Sequence, residues 1–156
     1  MILENVTILH LDAIRVASAY GFGTSPEEIA WAKLVTWATP RGLLDDLKAH
    51  PIFGLNNPYP SAPNEPYGYE FWIKVGPDAE PDGDIRIGEF LGGIYAVARC
   101  QVQGCPERIA QGWHELVAWC QENNHPLATH HAVEQFLTSP GDVNSLVLDL
   151  CCPIRS

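Results

Sequence analysis

The sequence predicts an α+β domain made of two strand–helix–strand–strand units, and three observations lead to that fold class. The chain has 156 residues, of which 46% are hydrophobic and 18% charged, which is enough for one buried core. A tryptophan-rich pattern occurs twice, about half a chain apart. Segments with the alternation of β-strands surround each copy of that pattern. We expect internal repeats at about residues 1–76 and 84–156, related by pseudo-twofold symmetry.

The repeated pattern is W-x-x-L-V-x-W, and each copy lies in a segment with helical periodicity. One copy runs from Trp31 to Trp37 and the other from Trp113 to Trp119. A proline precedes each copy at the position where a helix would begin, and proline is favoured in the first turn of a helix. Duplication of one folding unit explains these matches better than two unrelated amphipathic helices.

Each half of the chain has the same predicted order of elements. The predicted strands are 6–20, 52–55, 67–75, 85–101, 130–137 and 146–152. The predicted helices are 26–48, with a break near Pro40, and 106–123. The first strand of each half is long, and we expect it to bend at 11–13 and at Gly92-Gly93 respectively. Two such units can pair their strands into one curved antiparallel sheet, which leaves a ligand groove on the face without helices.

Charge and composition exclude several classes of function. The net charge is -10 and the nine Lys and Arg residues form no basic patch, so we expect no direct binding to nucleic acid. No apolar stretch is long enough to cross a membrane, and the N-terminus does not resemble a signal peptide. An odd number of cysteines argues against a disulfide framework and for the reducing cytoplasm.

We also expect no metal and no cofactor. Cys100 and Cys105 do not have the spacing of a common zinc-ligand pair. The chain has no phosphate-binding glycine loop and no G-x-S-x-G nucleophile motif.

Alternation within 67–75 assigns candidate ligand contacts to one face of a strand. The odd positions are all apolar and should pack on the helices. Glu70 and Trp72 then point towards the groove, where an acid beside an aromatic ring suits a cationic ligand. Glu134 and Phe136 share a face of the strand 130–137, and His130 is a further candidate for the same face.

Several segments resemble one known family. The sequence F-L-G-G-I-Y-A-V at 90–97 resembles the G-G-x-Y-A-V strand of GyrI-like small-molecule-binding domains, which also occur as effector-binding domains of AraC-type and MerR-type drug-sensing regulators. The segments 53–58 and 69–75 resemble the family's F-G-x-x-x-x-P turn and its tyrosine–acid strand. Residues 134–154 resemble its C-terminal E-x-Y and P-V pattern.

This resemblance implies a duplicated strand–helix–strand–strand fold that binds varied organic molecules, often cationic or amphipathic. It also implies that Glu134 matches the acid that meets the positive charge of the ligand in drug-sensing members. Phe136 stands where many members have tyrosine, so one hydroxyl is missing. The chain begins close to its first predicted strand, without room for the helix-turn-helix module of the family's regulators.

Three functions remain open at this point. The first is a stand-alone sensor or sequestering module for a small organic molecule that is cationic, amphipathic or electrophilic. The second is a hydrolase of strained, cyclopropane-type electrophiles, in which Glu70 or Glu134 would be the catalytic group. The third is an interaction module that protects a target such as DNA gyrase. The sequence does not identify the ligand or the oligomeric state.

Overall fold

The computed structural model describes residues 2–155, and this part of the chain forms two compact units. The continuous unit is Ile14–Phe90. The discontinuous unit contains the residues up to Ala13 together with those from Leu91 onward. The predicted repeat boundaries therefore differ from the boundaries of the compact units, because the chain changes unit within each of the two long first strands.

Within the described residues, eight strands and two α-helices make up the fold, which confirms the α+β class. In chain order they are β1 (Glu4–Leu11), β2 (Ile14–Gly23), α1 (Pro26–Ala38), β3 (Ile52–Asn56), β4 (Tyr67–Lys74), β5 (Arg86–Phe90), β6 (Gly93–Gln101), α2 (Glu107–Glu122), β7 (Val133–Phe136) and β8 (Val147–Pro153). Two short 3-10 turns follow α1. The break predicted near Pro40 is where α1 ends, at Ala38, because proline restricts the residue before it. The predicted continuation to Lys48 consists of 3-10 turns and irregular chain instead of α-helix.

In the continuous unit, four strands pair antiparallel in the order β3-β4-β2-β5, and α1 packs on β2 and β4. The start of α1 lies so close to β2 that a Cβ atom at Gly21 would be 2.3 Å from the Pro26 carbonyl oxygen. Further along the helix, the rings of Trp31 and Phe71 meet edge to face with their centroids 5.3 Å apart. The face of β4 that carries Phe71 is therefore the helix-covered face, as the alternation predicted.

In the discontinuous unit, four strands pair antiparallel in the order β1-β6-β8-β7, and α2 packs on β6 and β8. The buried residues of α2 are Gly112, Leu116 and Cys120, which are spaced four apart and so form one stripe along the helix. A Cβ atom at Gly112 would be 2.9 Å from the side chain of Leu150 on β8. The glycine thus lets the helix approach the strands closely.

The two units have the same topology, and each takes its edge strand from the other half of the chain. The order β5-β2-β4-β3 in one unit matches β1-β6-β8-β7 in the other, with one helix after the second strand of each set. Both predicted bends are present, between β1 and β2 and between β5 and β6. At the second bend Gly92 has φ +71, and a Cβ there would be 2.1 Å from the Leu11 carbonyl oxygen. The shared topology supports duplication, which stays a prediction.

Candidate functional site

Glu134 lies on the helix-covered face of the discontinuous unit. It stands opposite Leu150 in the β7–β8 pairing, and Leu150 is the strand residue closest to Gly112 of α2. The indole N–H of Trp113, on α2, donates a hydrogen bond of 2.9 Å to the Glu134 Oε2 atom. The expectation that Glu134 points to a face without helices is therefore wrong.

A second aromatic residue shares the face of β7 that carries this half-buried carboxylate. Phe136, two residues further along β7, shares its face and is buried opposite Leu148. Burial raises the pKa of the Cys100 thiol on β6; the Arg108 charge opposes that rise and the Glu134 charge adds to it. Glu134 thus accepts a hydrogen bond from an indole on α2 and has a buried phenyl ring two residues along its own strand.

Glu70 occupies the opposite kind of face, in the continuous unit. It lies on β4 and points away from the face that carries Phe71 and contacts α1, in agreement with the predicted alternation. Two neutral N–H groups fix its carboxylate: Asn57 Nδ2 donates at 2.7 Å to Oε2, and Trp72 Nε1 donates at 3.0 Å to Oε1. Both bonds hold the carboxylate in one orientation and use only part of its capacity to accept hydrogen bonds.

Trp72 is part of an aromatic cluster on this face. Its side chain is 8% exposed, and its ring packs against Phe90 at a centroid distance of 5.7 Å. Phe53, its direct partner on β3, lies 5.1 Å from Phe90. Trp72 therefore lies on the predicted face of β4, but its ring is buried there against other aromatic rings. Trp72 contacts Glu70 through its indole N–H group.

His130 was predicted to belong to a strand, and the structure corrects this. The strand begins only at Val133, and the chain before it is irregular. His130 Nε2 lies 3.0 Å from the Ile94 carbonyl oxygen, and its ring meets Tyr95 edge to face at 4.9 Å. These contacts tie the segment before β7 to the start of β6.

A cavity of about 410 Å³ adjoins Glu70 in the continuous unit. Its wall includes Asn57, Lys33 and Arg86, none of which the sequence singled out. Asn57 carries a weak signal, because an Asn-Pro pair marks a turn after a strand. Lys33 and Arg86 carry none, because their proximity depends on strand pairing and helix position.

Two further observations concern the range 2–155. Within it, no group of three or more His, Cys, Asp or Glu residues is arranged to hold a metal ion. No helix in the same range is long and apolar enough to cross a membrane.

Solved structures with the same fold include EcmrR, SAV2435 and a hydrolase from Listeria innocua. The C-terminal domain of EcmrR is 13% identical, with a TM-score of 0.74 over 100% of this chain and 99% of that domain. The structure of EcmrR with DNA is 12% identical, with a TM-score of 0.72. The match covers 97% of this chain but only 57% of the EcmrR chain. At identities this low the likeness shows the fold alone.

Two other structures share the fold and differ in their described roles. SAV2435, solved with tetraphenylphosphonium, is 13% identical with a TM-score of 0.55, over 98% of this chain and 95% of that one. A hydrolase from Listeria innocua is 9% identical with a TM-score of 0.63, over 97% of this chain and 92% of that one.

Family membership follows from comparison of the amino-acid sequence with known families. No curated protein sequence matches the chain. The sequence pattern of one family, described as GyrI-like small molecule binding domain, matches residues 4–155. The resemblance in the motifs around 53–58, 69–75, 90–97 and 134–154 is thereby confirmed, and the chain belongs to the GyrI-like small molecule binding domain family.

Proposed function

We propose that this chain binds a small organic cation and that Glu134 supplies the counter-charge, in a sensor or a sequestering module. The observation that carries the proposal is the hydrogen bond from Trp113 to Glu134 on the helix-covered face. It places a carboxylate beside an indole on the helix-covered face, where a neutral donor orients the acid.

A bound cation would compensate the Glu134 carboxylate for the electrostatic cost of its partial burial. A half-buried carboxylate has lost part of its hydration, and a cation nearby restores the lost electrostatic stabilisation. The indole of Trp113 and the ring of Phe136 can add cation–π attraction of about 1–2 kcal/mol where water is excluded. The net charge of -10 further favours the approach of cations. Flat or aromatic cations suit such walls best.

The family and one structural relative support the choice of ligand class. The family is described by its binding of small molecules, and SAV2435 was solved with tetraphenylphosphonium, a bulky aromatic cation. That compound is therefore the first probe.

Calorimetric titration with tetraphenylphosphonium tests the proposal directly. Glu134→Gln keeps the shape and the acceptor for Trp113 but removes the charge, so affinity should fall by about 1–2 kcal/mol, roughly tenfold. Glu122→Gln removes an equal charge at the exposed end of α2 and should leave affinity within about twofold. Equal binding by wild type and Glu134→Gln would contradict the proposal.

A hydrolase is the second candidate, favoured by the position of Glu70 beside a cavity. Its carboxylate is held by two N–H donors, which suits a general base that must keep one orientation towards water. Solved structures with this fold that are described as hydrolases from Listeria innocua support this second candidate. Turnover of a strained-ring electrophile by wild type, lost in Glu70→Gln or in Glu134→Gln, would favour the enzyme. Binding without turnover would favour the sensor or sequestering module.

Two other expectations stay predictions. All five cysteines are free thiols, and four are buried, which supports a reducing compartment such as the cytoplasm. An interaction with DNA gyrase rests on the family resemblance, and a pull-down with purified gyrase is its test.

A further inference from the structure

Four charged side chains surround the cavity beside Glu70 in the continuous unit. Glu70 and Asp84 supply two negative charges, and Lys33 and Arg86 supply two positive ones. Tyr20 lies between them on the central strand β2. The cavity volume, about 410 Å³, is within the range of small-molecule sites.

Strand pairing explains how the two strand-borne charges come to share this face. Ser18 of β2 stands opposite Arg86 of β5, and Tyr20 stands opposite Glu70 of β4. Ser18 and Tyr20 are two apart, so their side chains and those of their partners lie on one face. Because β4 and β5 flank β2 and the two positions are offset by two residues along it, the Glu70 and Arg86 backbones are about 12 Å apart. The gap between their side chains is the cavity.

The four charges are not paired with one another. Within residues 2–155, no ion pair of 4.0 Å or less involves any of them. Lys33 Nζ donates to the Tyr20 carbonyl oxygen at 2.9 Å, and Glu70 accepts only from neutral donors. In the same range, the Arg86 guanidinium makes no hydrogen bond to the protein, so all five of its N–H donors are available to a ligand. Opposite charges are therefore held apart around one space.

From this arrangement we propose that the cavity is a second ligand site, which takes a small zwitterion with an amine at one end and a carboxylate at the other. A simple cation would be attracted by Glu70 but repelled by Lys33 and Arg86. A simple anion would be attracted by Lys33 and Arg86 but repelled by Glu70. A zwitterion satisfies both pairs, with its carboxylate on the Arg86 guanidinium, which is suited to two parallel hydrogen bonds. The site is independent of the cation site proposed at Glu134.

Matched ligands test the charge requirement. The probes are glycine, 4-aminobutyrate and 6-aminohexanoate, together with butylamine and butyrate, which each keep one charged end of 4-aminobutyrate. Calorimetry or ligand-observed NMR should show at least tenfold tighter binding of one amino acid than of butylamine and butyrate. Binding of none of the amino acids, or equally tight binding of butylamine or butyrate, would overturn the proposal.

Variants then assign the binding to this cavity. Arg86→Gln and Glu70→Gln should each weaken the preferred amino acid at least tenfold. Arg86 is exposed, so the Arg86→Gln variant should fold normally. If Glu70→Gln does not fold normally, the binding result for Arg86→Gln decides whether the amino acid binds in this cavity. Glu89→Gln, on the opposite face of β5, is the charge control and should bind like wild type. Unchanged binding in Arg86→Gln would refute the assignment.

The two proposed sites can fail separately. Glu134→Gln should weaken tetraphenylphosphonium and leave the amino acid unaffected, whereas Arg86→Gln should do the opposite. Loss of amino-acid binding in Glu134→Gln but not in Arg86→Gln would place that ligand at the cation site and overturn this inference.

Discussion

The contact between α1 and β2 predicts a large effect from one added methyl group, in Gly21→Ala. The new Cβ would lie 2.3 Å from the Pro26 carbonyl oxygen and 2.9 Å from the Ala30 nitrogen, both backbone atoms of α1. Contacts this short do not occur between real Cβ atoms and backbone, so the start of the helix must move away from the strand by close to an ångström. Overpacking of this kind typically costs about 1–3 kcal/mol.

For a chain of this length, that cost corresponds to a fall in Tm of roughly 3–10 °C. Thermal unfolding followed by circular dichroism measures it. Gly88→Ala is the matched control, because Gly88 lies in β5 with no atom within 4 Å of the new Cβ and should change Tm by no more than about 1–2 °C. Equal melting temperatures for the two variants would refute the close approach of helix and strand. Because α1 also carries Lys33, Gly21→Ala should weaken zwitterion binding as well.

Two further predictions concern the discontinuous unit. Glu115 accepts hydrogen bonds from the backbone N–H groups of Ile2 and Leu3, and these bonds lower the pKa of its carboxyl. Because the folded-state pKa is lowered, the ionised carboxylate stabilises the fold at neutral pH. This contribution is lost as the pH falls from about 4, the ordinary pKa of a glutamate, through the lowered folded-state pKa. Glu115→Gln should lower the unfolding free energy by about 0.5–1 kcal/mol at pH 7 and by less at pH 3, in chemical denaturation at both values. Burial, with the neighbouring thiol of Cys120, raises the pKa of Cys152 to about 12, whereas Cys105 is exposed. A thiol reagent at pH 8 should therefore modify one cysteine rapidly in the native protein and all five after denaturation, and rapid native modification of more than one would contradict the buried positions.

Local patterns predicted those features that depend only on neighbouring residues. The alternation within 67–75 assigned Phe71 to the helix side and Glu70 to the other side, and the structure agrees. Both bends in the long first strands were also predicted, because glycine or a break in the apolar pattern marks them locally. The break near Pro40 follows from local stereochemistry too, although the chain beyond it was predicted as helix up to Lys48 and forms 3-10 turns instead.

Alternation alone could not say which face of β7 meets the helix. It puts Glu134 and Phe136 on one side and Val133 on the other, and both sides contain an apolar residue. The choice is made by α2, whose Trp113 reaches Glu134 and whose Gly112 contacts the neighbouring strand. That helix comes earlier in the chain, and its placement over the strands is a non-local packing decision.

By itself, the sequence determined the α+β class, the bends and the family, because periodicity, turn residues and motifs are encoded over a few neighbouring positions. Only the tertiary structure decided that each unit takes its edge strand from the other half of the chain, since pairing joins residues far apart in sequence. It also decided that Glu134 lies under α2, and that Lys33 and Arg86 meet Glu70 around one cavity. Long-range pairing and helix packing, which no local pattern records, bring those charges together.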